Sequence, residues 1–278
     1  MRGTPEARML EGKIALVTGA SSGIGLAVAR AVVAGGGKVA MVARTEATLR
    51  EAARELGEDR ASIYPLDVTD LARLAELPAR VLERFGALDL LVNNAGLNHR
   101  GPTLQYTPRQ LGDVITTNLT APVMLARAAA PHVRKGGAIV NVASLAGMVP
   151  VPHEAAYSAS KAGLRAFSRV LNGELRPRGV HVGIVSPGPV DTNFFGDLAK
   201  APSLNFSQPM STAEEVADAV LRCWRERSVE IAMPWFSGKL CTLGYLSPRF
   251  MRLLRPALER RGERNKRALM ERRAAHKP

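Results

Sequence analysis

Seven short apolar runs punctuate this chain, and stretches with helical spacing lie between them. The runs are Ile14–Thr18, Val39–Ala43, Leu88–Asn93, Ala138–Val142, His181–Ser186, Val229–Met233 and, more weakly, Ser62–Pro65. Each is too short for a helix, and most are bounded by Gly, Pro, Asn or Ser. Such runs read as strands buried on both faces, hence parallel. Between them, Ile24–Ala34, Glu46–Leu56, Leu71–Phe85, Pro108–Val133, Tyr157–Leu175 and Ala213–Arg225 carry helical spacing. Thr212 with Glu215 makes a capping box ahead of the last. Strand–helix alternation implies right-handed βαβ units. The expected fold is α/β: a Rossmann-type, doubly wound, mostly parallel seven-stranded sheet with helices on both faces. Ligands of such sheets bind beyond the carboxyl ends of the strands, so the residues just after each strand are the ones to inspect.

The chain's 278 residues, 46% of them hydrophobic, are ample for one large core. Its two cysteines, Cys223 and Cys241, form no CxxC and no Cys/His cluster has metal-ligand spacing. They read as idle thiols in a reducing compartment, and no metal is expected. Met1–Gly12 lacks the apolar core of a signal peptide, and no apolar run reaches a membrane span of roughly 20 residues. A cytoplasmic protein is expected. The net charge of +13 is concentrated: from Lys239 onward, twelve basic residues face three acidic ones.

After the first run comes Thr18-Gly19-Ala20-Ser21-Ser22-Gly23-Ile24-Gly25, then a helix. Glycines permit a tight turn and close backbone approach to a pyrophosphate, and the helix start adds unpaired N–H groups and a positive dipole end. The spacing is GxxxGxG rather than GxGxxG, and a glycine turn alone also makes a mere turn. After the second run, Ala43-Arg44-Thr45 lacks the acid that binds a ribose 2′-hydroxyl in NAD enzymes. Arg44 offers a guanidinium suited to a 2′-phosphate, which favours NADP(H), with NAD(H) the alternative. Asp67, followed by Val68, accepts from an adenine amino group or caps a helix.

Tyr157-Ser158-Ala159-Ser160-Lys161 opens a helical stretch, and a spacing of four places Tyr157 and Lys161 on one face. A free tyrosine, with a pKa of roughly 10, is a poor base; a nearby ammonium favours its phenolate. YxxxK alone occurs often by chance. Here it is joined by Asn93-Asn94-Ala95-Gly96 after a strand, Asn118 in the central helical stretch, Ser144 after the Ala138–Val142 run, and Pro187-Gly188-Pro189-Val190-Asp191-Thr192 after the sixth strand.

Over roughly residues 10 to 235 the chain resembles the short-chain dehydrogenase/reductase family in its compact form. The resemblance rests on TGASSGIG at Thr18–Gly25, NNAG at Asn93–Gly96, Asn118, Ser144, YSASK at Tyr157–Lys161 and PGPVDT at Pro187–Thr192. It implies a nicotinamide-dependent oxidoreductase interconverting a carbonyl and a secondary alcohol. Tyr157 would be the general acid in reduction and the base in oxidation. Ser144 would bind the substrate oxygen, and Lys161 would lower the Tyr157 pKa and hold the nicotinamide ribose. Asn118 would hold a water that relays protons. The cofactor would be lined by Gly19, Ser21, Ser22, Gly23, Ile24, Gly25, Arg44, Asp67, Val68, Asn94, Ala95, Gly96, Pro187, Gly188, Val190 and Thr192, together with Tyr157 and Lys161. The resemblance also implies a homodimer or homotetramer built on the helices of Pro108–Val133 and Tyr157–Leu175.

Fold does not choose a substrate. Phe194, Phe195, Leu198, Leu204, Phe206 and Met210 read as one substrate wall and Met148, Val149 and Val151 as the other, or else as a loop packed on its own body. The expected substrate is therefore a small apolar or lipid-like molecule. The alternatives are a small polar or acyl-carrier-bound ketone, or a non-catalytic cofactor-binding scaffold, against which the intact Ser144, Tyr157 and Lys161 argue. His99 and His153 read as polar loop residues. Residues 1–238 are expected to form the NAD(P)-binding catalytic domain and 239–278 a basic, partly amphipathic helical tail. Phe250, Leu253, Leu254, Ala257 and Leu258 would share one helix face. Such a helix lies on an anionic membrane, or it caps the pocket or packs on a partner subunit. Nucleic acid binding is not expected, because the tail offers no stacking platform.

Overall fold

The computed structural model describes residues 9–192, 194 and 201–275. Seven strands, β1 (Ile14–Thr18), β2 (Lys38–Ala43), β3 (Ala61–Pro65), β4 (Leu88–Asn93), β5 (Val133–Val142), β6 (His181–Pro187) and β7 (Glu230–Met233), form one sheet in the order β3-β2-β1-β4-β5-β6-β7. Every pairing is parallel. The strands are continuous apolar runs because successive side chains enter different cores. Ala15 and Val17 of β1 and Leu90 and Val92 of β4 pack on one face. Ile14, Leu16, Leu88 and Leu91 pack on the other.

Helices α1 (Gly23–Ala34), α2 (Glu46–Leu56) and α7 (Ala213–Arg225) bury Val28, Leu49 and Val220 in the first core. Helices α3 (Leu71–Phe85), α5 (Ala121–Ala129) and α6 (Ala155–Leu175) place Leu77, Leu125 and Leu175 in the second. The expected capping box at α7 is present, with Thr212 Oγ1 accepting from Glu215 N at 3.1 Å.

The stretch Pro108–Val133 is not one helix. It divides into α4 (Pro108–Ile115), a π-helical turn (Thr116–Thr120) and α5, and Val133 already belongs to β5. The β5 strand therefore starts five residues before the Ala138 expected for it, reaching back to pair Val133 with Leu88 across a register shift. Gly112, in mid-α4, has open space where a Cβ would stand. Gly112→Ala is therefore expected to stabilise the fold by about 0.5–1 kcal/mol, through loss of unfolded-state entropy. Chemical denaturation measures this, and a destabilised variant would contradict it.

Beyond β7 the chain forms α8 (Trp235–Leu246) and α9 (Pro248–Ala275). The boundary expected after Gly238 falls inside α8, which packs on β7. No helix of the described residues is long and apolar enough to cross a membrane.

Candidate active site

The chain leaves β1 toward β2 and leaves β4 toward β5 on the opposite side, so a crevice opens at the carboxyl ends of β1 and β4. A cleft of about 980 Å³ occupies this edge. Thr18 ties its two walls together: its Oγ1 accepts from Asn94 N (3.0 Å) and Ala95 N (3.1 Å), while Asn94 Nδ2 donates to Thr18 O (2.9 Å). Gly19 sits at φ 67°, and a Cβ there would stand 2.9 Å from Asn94 Nδ2. Only glycine meets both demands. Gly25 contributes differently: it does not line the cleft, and its Cβ would stand 2.1 Å from Gly19 O. It lets α1 seat against the turn. Ser22 is the α1 N-cap but its hydroxyl makes no capping bond. Ser21, Ser22, Gly23 and Ile24 line the cleft, so the amides and positive dipole end of α1 could hold an anion there.

Ala43, Arg44, Asp67 and Val68 continue the wall. Arg44 is exposed, and among the described residues no partner holds its guanidinium. Asp67 is not the cap of α3; Asp70 is, accepting from Arg73 N. Asp67 instead accepts from Thr69 N (2.9 Å) and Thr69 Oγ1 (2.8 Å), which fixes its carboxylate at the rim. Asn94, Ala95, Gly96, Pro187, Gly188, Val190 and Thr192 complete this half.

Ser144, Tyr157 and Lys161 also line the cleft. Tyr157 and Lys161 stand one turn apart on α6, with Lys161 Nζ 5.8 Å from the Tyr157 ring centroid. Ser144 caps a short 3₁₀ turn, Leu145–Gly147, its Oγ accepting from Ala146 N at 3.1 Å. Gly147 brings that turn against α6, since a Cβ there would stand 2.7 Å from the Lys161 carbonyl carbon. The close approach sets Ser144 and Tyr157 in the wall of the same cleft. Asn118, in the π-helical turn, is fully buried and does not line the cleft. Its Nδ2 donates to Leu97 O (2.7 Å) and Ser160 Oγ (3.2 Å), and its Oδ1 accepts from Leu97 N (2.8 Å). Both amide protons are thus committed to holding the loop after β4 against α6.

The electrostatics differ from the expectation. Burial, reinforced by the Glu154 carboxylate, pushes the Tyr157 phenol up to about 12, against smaller downward pulls from Ser144 and Arg100. Burial lowers Lys161 to about 8. Lys161 Nζ donates to Val142 O at 2.8 Å while standing over the Tyr157 ring. At neutral pH Tyr157 is a protonated phenol.

At the far end, Phe194 stands 6.0 Å from the Tyr157 ring, and Leu204, Val149 and Val151 line the cleft as expected. Phe206, Met210 and Met148 do not line it. Phe206 is buried in a small core with Ala201, Met210 and Leu269, and Met148 approaches Gly238. Phe195 and Leu198 lie outside the described residues. His99 stacks on Tyr106 at 5.2 Å and His153 adopts φ 64°; neither lines the cleft. Three further wall residues, Leu240, Cys241 and Leu258, come from α8 and α9. Burial raises the Cys241 thiol to about 11, which leaves it unreactive.

Sequence reasoning missed a polar group in this wall. Arg100 Nε donates to Glu154 Oε1 at 3.2 Å, both side chains are buried, and Asn205 Nδ2 donates to the same oxygen at 2.8 Å. Arg100 also covers the Phe194 ring at 5.2 Å. The available signal was an acid three residues before Tyr157, at the helix start, whose partners are distant in sequence.

The family model described as short chain dehydrogenase matches residues 13–203. The 3-oxoacyl-[acyl-carrier-protein] reductase FabG of Escherichia coli (strain K12) is 35% identical over 221 residues, 76% of this chain and 88% of that protein. A dehydrogenase/reductase SDR family protein 7-like of Anopheles gambiae is 34% identical over 242 residues, 80% of this chain and 76% of its own. A short chain dehydrogenase from Burkholderia cenocepacia J2315, solved in complex with NADP, superposes with a TM-score of 0.75 at 33% identity, covering 82% of this chain and 98% of its own. Sheet order, glycine cradle and paired Tyr157 and Lys161 thus meet in a chain that belongs to the short-chain dehydrogenase family of oxidoreductases.

Proposed function

We propose that this chain is an NADP(H)-dependent reductase that converts the carbonyl of an apolar, lipid-like substrate to a secondary alcohol. The observation that carries this reading is the single cleft that the α1 glycine turn, Arg44, Ser144, Tyr157 and Lys161 line together. A bound nicotinamide supplies the hydride. The chain supplies the rest: Ser144 donates a hydrogen bond to the substrate oxygen, and Tyr157 gives that oxygen its proton. Lys161, held by the Val142 carbonyl, places positive charge beside the phenol as it loses its proton. Asn118 is a positioning residue that fixes the Leu97 loop and Ser160. Asn94 and Gly96 would border the cofactor, and Thr192 would hold its nicotinamide end. Phe194, Val149, Val151, Leu204, Leu240 and Leu258 give the substrate end its apolar walls.

Arg44 supports NADP(H) over NAD(H): its guanidinium, which no partner among the described residues holds, stands at the end of β2, where an NAD enzyme carries an acid. The solved relative that holds NADP has the same fold. Titration should show NADPH binding about 10–100-fold tighter than NADH, the worth of one or two charge-assisted hydrogen bonds, and Arg44→Ala should close the gap. Equal binding of both cofactors by the wild type would overturn the assignment. A second reading, a polar or acyl-carrier-bound ketone, is favoured by the similarity to FabG and by the polar Arg100–Glu154–Asn205 group. Glu154 is satisfied within that group by Arg100 and Asn205, so it serves as a wall rather than as a receptor for substrate charge. Initial rates on long-chain ketones against 3-oxoacyl thioesters separate the two.

A further inference from the structure

Helix α8 is built inside out. Its inward positions are Ser237, Gly238, Cys241 and Gly244, all buried. A Cβ on Gly238 would stand 2.4 Å from Ala232 Cβ, so small residues let the helix lie directly on β7. The large apolar side chains are left outside: Trp235 is 68% exposed, Leu243 49% and Leu246 75%, with Phe236 beside them and Leu253 of α9 81% exposed. Helical spacing places Trp235, Lys239, Leu243 and Leu246 along one side of α8. The expected apolar face of α9 is itself divided. Leu258 turns inward to the cleft and Leu254 is half-buried, while Leu253 and Ala257 face out; the Phe250 side chain lies outside the described residues.

Both helices are fastened to the body by other contacts, α8 through its small inner face and the Ser237 hydroxyl, which donates to Gln208 Oε1, and α9 further along its length. Asn265 Nδ2 donates to Phe206 O (2.8 Å) and Lys266 Nζ to Ala201 O (2.7 Å), and a Cβ on Gly262 would stand 1.9 Å from Ser203 O. The outer apolar surface is therefore not needed to hold the helices in place. Single exposed apolar residues are ordinary on a protein, but a cluster of this kind marks a binding surface.

We propose that this outer face of α8 and the start of α9 docks on an anionic lipid bilayer. Between Trp235 and Leu258 the chain has Lys239, Arg249, Arg252 and Arg255 and no Asp or Glu, Arg255 alone among the described residues pairing with the Glu259 that follows. Lys239 Nζ lies 4.7 Å from the Trp235 ring centroid, so cation and indole are presented together. Exposed aromatic and leucine side chains set among cations are what the headgroup boundary of an anionic membrane takes up. A second copy of this chain fits poorly, because a two-fold contact through the face would set these cations against their own copies. The docked helices also supply Leu240, Cys241 and Leu258 to the cleft wall, which places lipid beside the substrate end. The docking itself does not rest on the substrate assignment, and it is read without substrate.

The test is co-sedimentation of the full chain with vesicles of phosphatidylcholine, with and without phosphatidylglycerol, alongside the double variant Leu246→Glu, Leu253→Glu. The wild type is expected to sediment with the anionic vesicles and not the zwitterionic ones, with a blue shift of tryptophan emission that Trp235→Phe removes. The double variant should partition about tenfold less or weaker still, with an unchanged melting temperature and unchanged NADPH affinity. Wild-type protein that stays in the supernatant with anionic vesicles at low salt overturns the proposal, as does equal sedimentation of wild type and variant. Light scattering that shows an oligomer in the wild type and its loss in the variant would make the face a subunit interface and overturn it too.

Discussion

Tyr157→Phe is expected to lower kcat/KM for carbonyl reduction by about 10²–10⁴, the usual worth of a positioned general acid. NADPH affinity should stay within about threefold of the wild type, because the change deletes one hydroxyl and leaves the ring packed against Val114 and Ala146. The pH dependence adds a second check. Burial and the Glu154 carboxylate hold the phenol near 12, so Tyr157 stays protonated through the neutral range and contributes no inflection there. Lys161 titrates near 8. Its positive charge is present below that value and lost above it, so kcat/KM for reduction should fall as pH rises through about 8. Lys161→Met should lower the rate and abolish that inflection. A Tyr157→Phe enzyme with near-wild-type turnover would remove the tyrosine from the chemistry.

Legibility of this site in the sequence follows from where each constraint acts. The strands were readable because a parallel sheet covered on both faces needs unbroken apolar runs, as in Leu88–Asn93. The cradle, Ser144, Tyr157 and Lys161 were readable because each follows a strand or opens a helix at the edge where the order reverses. What escaped was set by contacts distant in sequence or by small departures in backbone geometry. The π-helical turn at Thr116–Thr120 carries no Gly or Pro to announce it, so α4 and α5 read as one helix. Residues 134–137 of β5 are Arg, Lys and two glycines, which conceal a strand that pairs at Val133. Adjacency in sequence suggested that Lys161 would depress Tyr157. Burial, and after it the Glu154 carboxylate, raises the Tyr157 pKa instead. The Glu154 pairing joins residues 54 and 51 positions apart, and no local pattern records it. In α8, apolar residues surround the helix, so only the packing of Gly238 on Ala232 shows which side faces in.

Glu230→Ala is expected to destabilise the fold by about 3–5 kcal/mol, the cost of stranding the partners of a buried charge. Glu230 lies in β7 with its side chain 9% exposed, beside Arg165 at 17%. Its Oε1 accepts from Arg165 Nε (2.7 Å) and Ser186 Oγ (2.7 Å), and its Oε2 from Arg165 Nη2 (2.9 Å) and Arg169 Nη2 (2.6 Å). Arg165 in turn donates to Gly147 O at 2.7 Å. One carboxylate thus joins the last strand, the catalytic helix one turn beyond Lys161, and the 3₁₀ turn that positions Ser144. Burial alone would raise the Glu230 pKa, but the hydrogen bonds from Arg165, Ser186 and Arg169 outweigh it and hold the carboxyl below its ordinary value. For a depressed acid the stabilisation is complete above the unfolded pKa and lost as pH falls through the folded one. Wild-type stability should therefore decline below about pH 4.5, the unfolded carboxylate range, while Glu230→Gln should be less stable at neutral pH and lack that part of the acid dependence. Denaturant unfolding of the three proteins at neutral and acid pH measures both effects. Because the network braces Ser144 as well as the fold, Glu230→Gln should also lose kcat at temperatures where it remains folded. A variant with reduced stability but full kcat would confine the network to holding β7 on the sheet.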